Sequence, residues 1–221
     1  MEGLWRQIDG YCERLDPGYW AEPVNAVTNA AFVLVAWVMW RRVRGQGLPL
    51  AELLCLVLAL IGMGSFLFHT HAQVWAAIAD VVPIVGFSLL YIYVANRHFW
   101  GWPGWAAALG ALAYLPYSAL LTPVFAGLPF FGISSFYWPL PVLIFGYAVL
   151  LSRRAPATAR GLTIGAGMLC LSLVARSLDM PVCGALPLGT HFLWHILNAL
   201  MLGWMIELYR RHMLAGPVRQ G

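Results

Sequence analysis

The sequence contains no lysine, and charged residues of all kinds occupy only 10% of its 221 positions. Soluble domains carry about 25% charged residues, so this composition argues against a soluble enzyme. The 13 basic residues are all arginines, and they stand singly or in pairs between long apolar runs. Because they form no continuous basic patch, the net charge of +4 does not indicate nucleic-acid binding.

Apolar residues, in contrast, make up 61% of the chain. A membrane-spanning helix needs about 20 mostly apolar residues, and seven segments approach or reach that length. The predicted spans are 23–40, 49–69, 74–95, 102–121, 130–151, 161–178 and 188–209. Pro129, Pro139 and Pro141 lie at or inside the fifth span and can kink it or move its start. We therefore predict an all-α integral membrane bundle of seven transmembrane helices.

The arginines also indicate the orientation of the bundle, since short cytoplasmic loops collect positive charge. Ten of the 13 arginines follow spans 1, 3, 5 or 7, whereas seven of the nine acidic residues fall on the other side. This pattern predicts an extracytoplasmic N-terminus and a cytoplasmic C-terminus. The end of span 2 and the starts of spans 3 and 7 then share the outer leaflet. The ionisable residues at these three points are His69, Asp80, His191 and His195.

The first 21 residues form an acidic segment ahead of a membrane domain that covers residues 22–221. They lack the apolar stretch of about 7–15 residues that a signal peptide needs, so we expect no cleaved leader. Four carboxylates around the start of span 1, with nearby carbonyl groups, are hard oxygen ligands suited to Ca²⁺. They belong to Asp9, Glu13, Asp16 and Glu22. The alternative is that these acids are solvated or cap the helix that begins at Glu22-Pro23.

Two histidines, His191 and His195, open span 7 four residues apart. On a helix they lie about 40° apart on one face, so both imidazoles can reach one metal ion. Ionisable residues inside spans are functional by default, although for this motif alone each ring could equally bind a neighbouring helix. Span 2 repeats the spacing with Ser65 and His69.

Three other histidines are left out of the site. His71 points about 200° away from His69 on the same helix, and His98 and His212 fall on the arginine-rich side. Three imidazoles with an open fourth position are the ligand set of a catalytic zinc, whereas a structural zinc has four protein ligands. Cys55 and Cys170 lie nearer the middle of the membrane, where small core residues are expected.

Asp80 stands near the outer end of span 3. A carboxylate at the centre of a span costs about 2.5–3.5 kcal/mol on insertion scales, and a nearby metal or its water would offset that cost. A carboxylate bound to such a water is the general base that metal-assisted hydrolysis requires. The alternative is that Asp80 pairs with Arg176 or Tyr91.

Together these residues resemble the alkaline ceramidase family of seven-span intramembrane hydrolases, within the superfamily that includes the adiponectin receptors. The shared pattern is Tyr11-Cys12-Glu13, Glu22-Pro23-x-Asn25-x-x-x-Asn29, Gly64-Ser65-x-x-x-His69, Asp80, Asp179-x-x-x-Cys183 and His191-x-x-Trp194-His195. The resemblance implies that zinc is held by His69, His191 and His195, that Asp80 activates its water, and that Ser65 stabilises the transition state. It also implies a calcium site formed by Asp9, the Tyr11 carbonyl, Glu13, Asp16 and Glu22. Leu15 departs from this pattern, because a polar ligand is expected at its position.

The same resemblance suggests a disulfide between Cys12 and Cys183. The predicted topology places both cysteines on the outer side of the membrane, which is usually the oxidising side. Two free thiols are the alternative.

The leading functional hypothesis is a zinc-dependent amidase in the extracytoplasmic leaflet. Its partner is a membrane lipid, ceramide or a related lipid amide, cleaved to a long-chain base and a fatty acid. One rival is a seven-span lipid receptor with a non-catalytic zinc, although the loops are short for a signalling surface. The other rival is a b-type haem protein with His69 and either His191 or His195 as axial ligands.

Overall fold

The computed structural model describes residues 2–8 and 10–215, and the chain over these ranges is all-helical. The α-helices are α1 (Pro23–Thr28), α2 (Ala30–Val43), α3 (Pro49–His71), α4 (Val74–Val94), α5 (Gly104–Leu112), α6 (Tyr114–Ala126), α7 (Pro139–Leu151), α8 (Pro156–Val182) and α9 (His191–Leu214). A π-helical turn, Ala95–Phe99, extends α4. The only β feature in the described ranges is an isolated bridge between Gln7 and Gln73. The predicted all-α class is confirmed.

Within residues 2–8 and 10–215, six helical segments are long and apolar enough to cross a membrane. They are Pro23–Val43, Pro49–His71, Val74–Phe99, Gly104–Ala126, Pro156–Val182 and His191–Leu214. Large apolar side chains cover the outside of the bundle as well: Trp105 and Leu120 are 71% and 76% exposed. Helices that are apolar all round are typical of membrane spans, so the protein is a multi-pass membrane protein.

The fifth predicted span, 130–151, is shorter in the structure. Its helix, α7, begins only at Pro139 and has 13 residues. At 1.5 Å per residue it is about 20 Å long, less than the roughly 30 Å of a bilayer core. The late start of α7 has a local cause. Pro139 occupies the first helical turn, where a backbone N–H would have no partner within the helix, so its absence loses no hydrogen bond.

Helix α9 lies at the centre of the bundle and packs against α2, α3 and α8. It is the most buried of the six candidate spans, and the α5–α6 segment is the most exposed. At the start of α9, His191, Trp194 and His195 face the neighbouring helices, whereas Leu193 and Ile196 are exposed on the outside.

Helices α3 and α4 touch at Gly64. A Cβ atom on this glycine would lie 2.1 Å from the Ala79 carbonyl oxygen and 3.1 Å from the Asp80 Cα. Only a residue without a side chain allows two backbones to approach so closely. The contact brings the last two turns of α3, which carry Ser65 and His69, next to Asp80.

The N-terminal segment runs across the outer ends of these helices. The Ile8 N–H donates to the Ala72 carbonyl at 2.7 Å, which fixes the segment on the α3–α4 turn. Further along, Cys12 and Cys183 form a disulfide with a Cα–Cα distance of 5.5 Å. The segment is thereby attached to the loop between α8 and α9.

Candidate metal centre

Three buried imidazoles meet where the end of α3 approaches the start of α9. His69, His191 and His195 are 1%, 2% and 0% exposed. One ring nitrogen from each lies within 4.8 Å of the others. The Nε2 atoms of His69 and His195 are 3.1 Å apart. The arrangement could hold a metal ion.

The hydrogen bonds behind two of these rings indicate which ring nitrogen carries the proton. Nδ1 of His69 lies 2.6 Å from a carboxylate oxygen of Glu22, which only accepts, so this nitrogen carries the proton. Nδ1 of His195 lies 2.9 Å from the Thr28 hydroxyl. That hydroxyl donates to the Val24 carbonyl and therefore accepts from the ring. Both Nε2 atoms then present lone pairs to each other.

With both rings neutral, the two facing lone pairs at 3.1 Å repel each other, and a proton or a metal ion shared between them removes this repulsion. The donor chemistry of the centre therefore fits a bound metal ion. Metal-binding histidines commonly donate their second ring nitrogen to a carboxylate or another oxygen, which orients the ring and raises its basicity. Glu22 and Thr28 fill this role. For His69 and His195 the spacing does not fit the haem hypothesis, because imidazoles on opposite faces of an iron need about 4 Å between their nitrogens, twice a metal–nitrogen bond of about 2.0 Å.

Glu22 is ionised despite its burial. Burial raises the pKa of its carboxyl group, but hydrogen bonds from His69, Arg14 and Asn25 outweigh this effect and hold the pKa below its ordinary value. The negatively charged carboxylate of Glu22 can therefore accept the hydrogen bond from Nδ1 of His69. Glu22 was predicted as a calcium ligand, and the structure places it directly behind the histidine cluster.

The third imidazole is held differently. The ring of His191 stacks on the ring of Tyr11 with centroids 3.8 Å apart. Its Nδ1 atom is buried without a hydrogen-bond partner among the described residues. Tyr11 thus covers the cluster with its side chain, whereas only its carbonyl was predicted to take part in a site.

Asp80 reaches the same region from α4. Its Oδ1 atom is buried without a hydrogen-bond partner in the described part of the chain. The Ser65 hydroxyl lies close enough to this carboxyl group to interact with it. Among the described residues neither alternative partner forms a hydrogen bond with Asp80: the Tyr91 hydroxyl donates to the Met205 carbonyl at 3.0 Å, and Arg176, which interacts with Asp80 only through its charge, donates elsewhere.

A cavity of about 340 Å³ opens beside Asp80. Its lining mixes apolar and polar side chains, including Tyr11, Phe68, Asp80, Tyr137, Arg176 and Met180. Arg176 donates to the Ile133 carbonyl and the Ser134 hydroxyl at 3.0 and 3.1 Å. Cavities of this size with a few polar groups are typical of small-molecule sites.

The Ceramidase family model matches residues 11–217, nearly the whole chain. The chain belongs to the Ceramidase family. No curated protein matches it. Membership of this family supports a hydrolase that acts on a lipid amide, in agreement with the buried histidine cluster and the apolar helices.

In this ceramidase-family chain, Asp179 holds the start of α9 in place. Its Oδ1 atom accepts hydrogen bonds from the Thr190 and His191 N–H groups at 2.8 and 2.9 Å. Its other oxygen accepts from the Cys12 N–H at 2.9 Å. Gly189 (φ +62°) leaves room for this carboxylate, since a Cβ there would lie 2.0 Å from Oδ1. Asp179 appears in the family pattern, but the sequence alone did not indicate this role.

The remaining histidines and cysteines lie outside the cluster. His71 packs on Trp75, and His212 is 2.8 Å from the Thr158 hydroxyl near the other end of the bundle. Cys55 and Cys170 are free thiols.

The residues predicted to bind calcium make hydrogen bonds of their own in the described ranges. Asp9 lies outside the described residues. Both carboxylate oxygens of Glu13 accept from backbone N–H groups at the start of α1, those of Val24 and Asn25, at 2.7 and 2.8 Å. The Tyr11 carbonyl accepts from the Arg14 N–H, and the Asp16 side chain accepts from the Gly18 N–H.

Proposed function

We propose that the protein is an intramembrane amidase that cleaves the N-acyl bond of ceramide or a related lipid amide. Water is added across the C–N bond, and the products are a fatty acid and a long-chain base. The observation that carries this proposal is the cluster of three buried imidazoles, with two Nε2 atoms 3.1 Å apart, in a member of the Ceramidase family. Such a centre is suited to hydrolysis by a metal-activated water.

Zinc is the ion that we propose for this centre. Two nitrogens bound at 2.0–2.1 Å to a tetrahedral ion lie about 3.3 Å apart, close to the observed 3.1 Å. The described residues supply three imidazoles and no fourth protein ligand at the cluster, which is the pattern of a catalytic site. When bound, zinc polarises the amide carbonyl and lowers the pKa of a bound water toward about 7.

The side chains beside the histidines handle the proton and the developing charge. We assign Asp80 as the base that accepts a proton from the attacking water and later returns it to the leaving amine. Its unpaired Oδ1 atom supports this role. Ser65 would donate a hydrogen bond to the carbonyl oxygen as it gains negative charge, a contact typically worth about 2.7–4 kcal/mol.

The cavity supports a lipid substrate that enters only in part. A volume of about 340 Å³ holds an amide with its adjoining polar groups, and two long acyl chains do not fit in it. The chains would remain among lipids outside the bundle. Arg176 and Tyr137 would then face the polar end of the substrate, and Phe68 and Met180 its apolar part.

We further propose that α7 is the seventh span. The disulfide requires Cys12 and Cys183 to lie on the same side of the membrane. Five candidate spans separate these two cysteines, and an odd number would place them on opposite sides. A sixth crossing by α7, the shorter apolar helix, restores the same side. Together with the arginine distribution, this supports an extracytoplasmic N-terminus and a site in the outer leaflet.

The test is an assay of the purified protein on a panel of N-acyl lipids, with product analysis by mass spectrometry. We expect a free fatty acid and a long-chain base from at least one member of the panel. A zinc chelator should abolish the reaction, and added zinc should restore it. Absence of product from every lipid amide, or a rate that the chelator leaves unchanged in metal-free buffer, would refute the proposal.

A further inference from the structure

The guanidinium group of Arg14 lies at the centre of the acidic N-terminal segment. Its side chain is only 3% exposed. Nε donates to the Glu22 carboxylate. The terminal nitrogens donate to the Asp16 carbonyl at 3.2 Å, the Gly18 carbonyl at 3.5 Å and the His69 carbonyl at 3.0 Å. A buried cation is thus surrounded by one carboxylate and three carbonyl oxygens.

These oxygens are of the kinds that bind a calcium ion, and they would supply part of the roughly 6–8 ligands that Ca²⁺ takes. Ca²⁺ is bound by carboxylates and carbonyl groups. Two residues of this shell were predicted as calcium ligands: Glu22 contributes its carboxylate, and Asp16 contributes its main-chain carbonyl in place of the predicted carboxylate. The neighbouring Leu15, where a polar ligand was expected, is 90% exposed and points away. The oxygens are present, but an arginine of this chain already neutralises them.

We propose that the Arg14 guanidinium takes the place of the calcium ion implied by the family resemblance, so that this protein folds and binds its catalytic metal without calcium. Arginine is suited to such a permanent role because its charge does not titrate in proteins and its planar group makes several directed hydrogen bonds. The proposal rests on the contacts of Arg14, because its guanidinium group binds oxygens of two residues that were predicted to bind calcium.

The contacts of Arg14 also connect it to the metal centre. Glu22 uses one carboxylate oxygen for Arg14 and the other for Nδ1 of His69, at 2.6 Å. Arg14 in addition binds the main-chain carbonyl of His69. It is therefore a positioning residue, which fixes both the backbone and the ring of one ligand. Loss of such an outer partner typically weakens metal affinity about 10–100-fold.

The first experiment measures metals and stability in the wild-type protein. The protein is purified in detergent, its zinc and calcium content is determined by mass spectrometry, and its thermal unfolding is followed with calcium or with a calcium-selective chelator. We expect far less than one calcium per chain and the same Tm in both conditions. One calcium per chain, or a Tm that falls with the chelator and recovers with calcium, would overturn the proposal.

The second experiment removes the guanidinium. In Arg14→Ala the shell of oxygens loses its cation, so we expect a lower Tm and weaker zinc binding, both largely restored by added calcium. Arg6→Ala removes an exposed arginine from the same segment and should change neither quantity. Arg14→Lys keeps the charge and should fold without responding to calcium. A folded Arg14→Ala that calcium does not stabilise would count against the inference.

These readouts do not depend on the amidase hypothesis. Metal content and unfolding are measured without a substrate, so an inactive protein still tests the role of Arg14. If Arg14→Ala cannot be purified, the wild-type calcium content decides the question.

Discussion

At the scale of single residues, the hydrogen bonds behind the imidazoles set the properties of the centre. Glu22 and Thr28 each engage an Nδ1 atom, which leaves the opposite Nε2 atom free to bind a metal. Glu22 and Thr28 would not contact the ion themselves, but they determine which ring nitrogen is free to bind it. Substitution of a histidine in the cluster should therefore have a different effect from substitution of a group beside it.

The first prediction concerns the ligands. His191→Ala should remove most of the bound zinc and all amidase activity, because the cluster loses one of its three nitrogens. His71→Ala is the matched control, since its ring packs on Trp75 outside the cluster. Metal analysis of both purified variants is the measurement. Full zinc in His191→Ala would show that the ion is bound elsewhere.

Asp80→Asn should have a different effect. It removes a base and leaves the three imidazoles, so we expect normal zinc content and a rate reduced by about 10²–10⁴-fold, the usual contribution of general acid–base catalysis. Metal analysis and an initial-rate assay on the same preparation check this. A variant that hydrolyses lipid at the parent rate would exclude the assigned role.

The sequence predicts the residues of the histidine cluster better than their surroundings. Helical spacing places His191 and His195 on one face, and the structure brings their nitrogens near His69. The role of Arg14 could not be predicted in this way. An arginine among acids looks the same in sequence whether it is solvated or buried, and its contacts with the Gly18 and His69 carbonyls depend on a loop and on a residue 55 positions away.

At the scale of the helices, the α3–α4 contact positions the chemistry. Gly64 stands at the closest approach, one residue before Ser65, and faces the backbone that carries Asp80. The separation of these two helices sets the distance between the proposed base and the metal ligands.

Gly64→Ala should therefore lower both stability and activity. The new Cβ would lie 2.1 Å from the Ala79 carbonyl oxygen, so α3 and α4 must separate. Gly86→Ala on α4 is the control, because its Cβ meets no atom within 4 Å, and a helical alanine is favoured over glycine by about 0.5–1 kcal/mol. Thermal unfolding of both variants tests the contrast. Equal Tm values for the two variants would mean that α3 and α4 can separate at Gly64 without loss of stability.

The helix boundaries show where sequence reasoning reaches its limit. Apolar length identified six of the seven predicted spans, with ends that differ by up to five residues from the helical segments. It extended the fifth back to residue 130, whereas helix α7 starts at Pro139. Mean apolarity does not distinguish a helix from the turns around Gly132–Ser134 that precede it.

At the scale of the whole molecule, the N-terminal segment joins the first part of the chain to the last helices. The Cys12–Cys183 disulfide and the Asp179 hydrogen bonds hold Tyr11 over the His191 ring. The segment is thus part of the site, although it lies outside the bundle of spans.

Cys183→Ser should loosen this attachment. Removal of a native disulfide from a small secreted domain typically costs about 2–5 kcal/mol, and we expect a lower Tm together with faster loss of zinc to a chelator. Cys170→Ser changes a free thiol and serves as the control. The same Tm and zinc release rate in both variants would show that the hydrogen bonds of Asp179 suffice.

The metal centre also has a consequence for how the protein is made. Its ligands His69 and His195 are 126 positions apart in the chain, and ribosomes add about 5–20 residues per second. A growing chain therefore carries His69 in the membrane for several seconds before α9 is synthesised. The lone imidazole cannot retain an ion during that time. A metal at the proposed centre would therefore bind only after the last helix has been inserted, and chains terminated early would leave no partly assembled hydrolase in the bilayer.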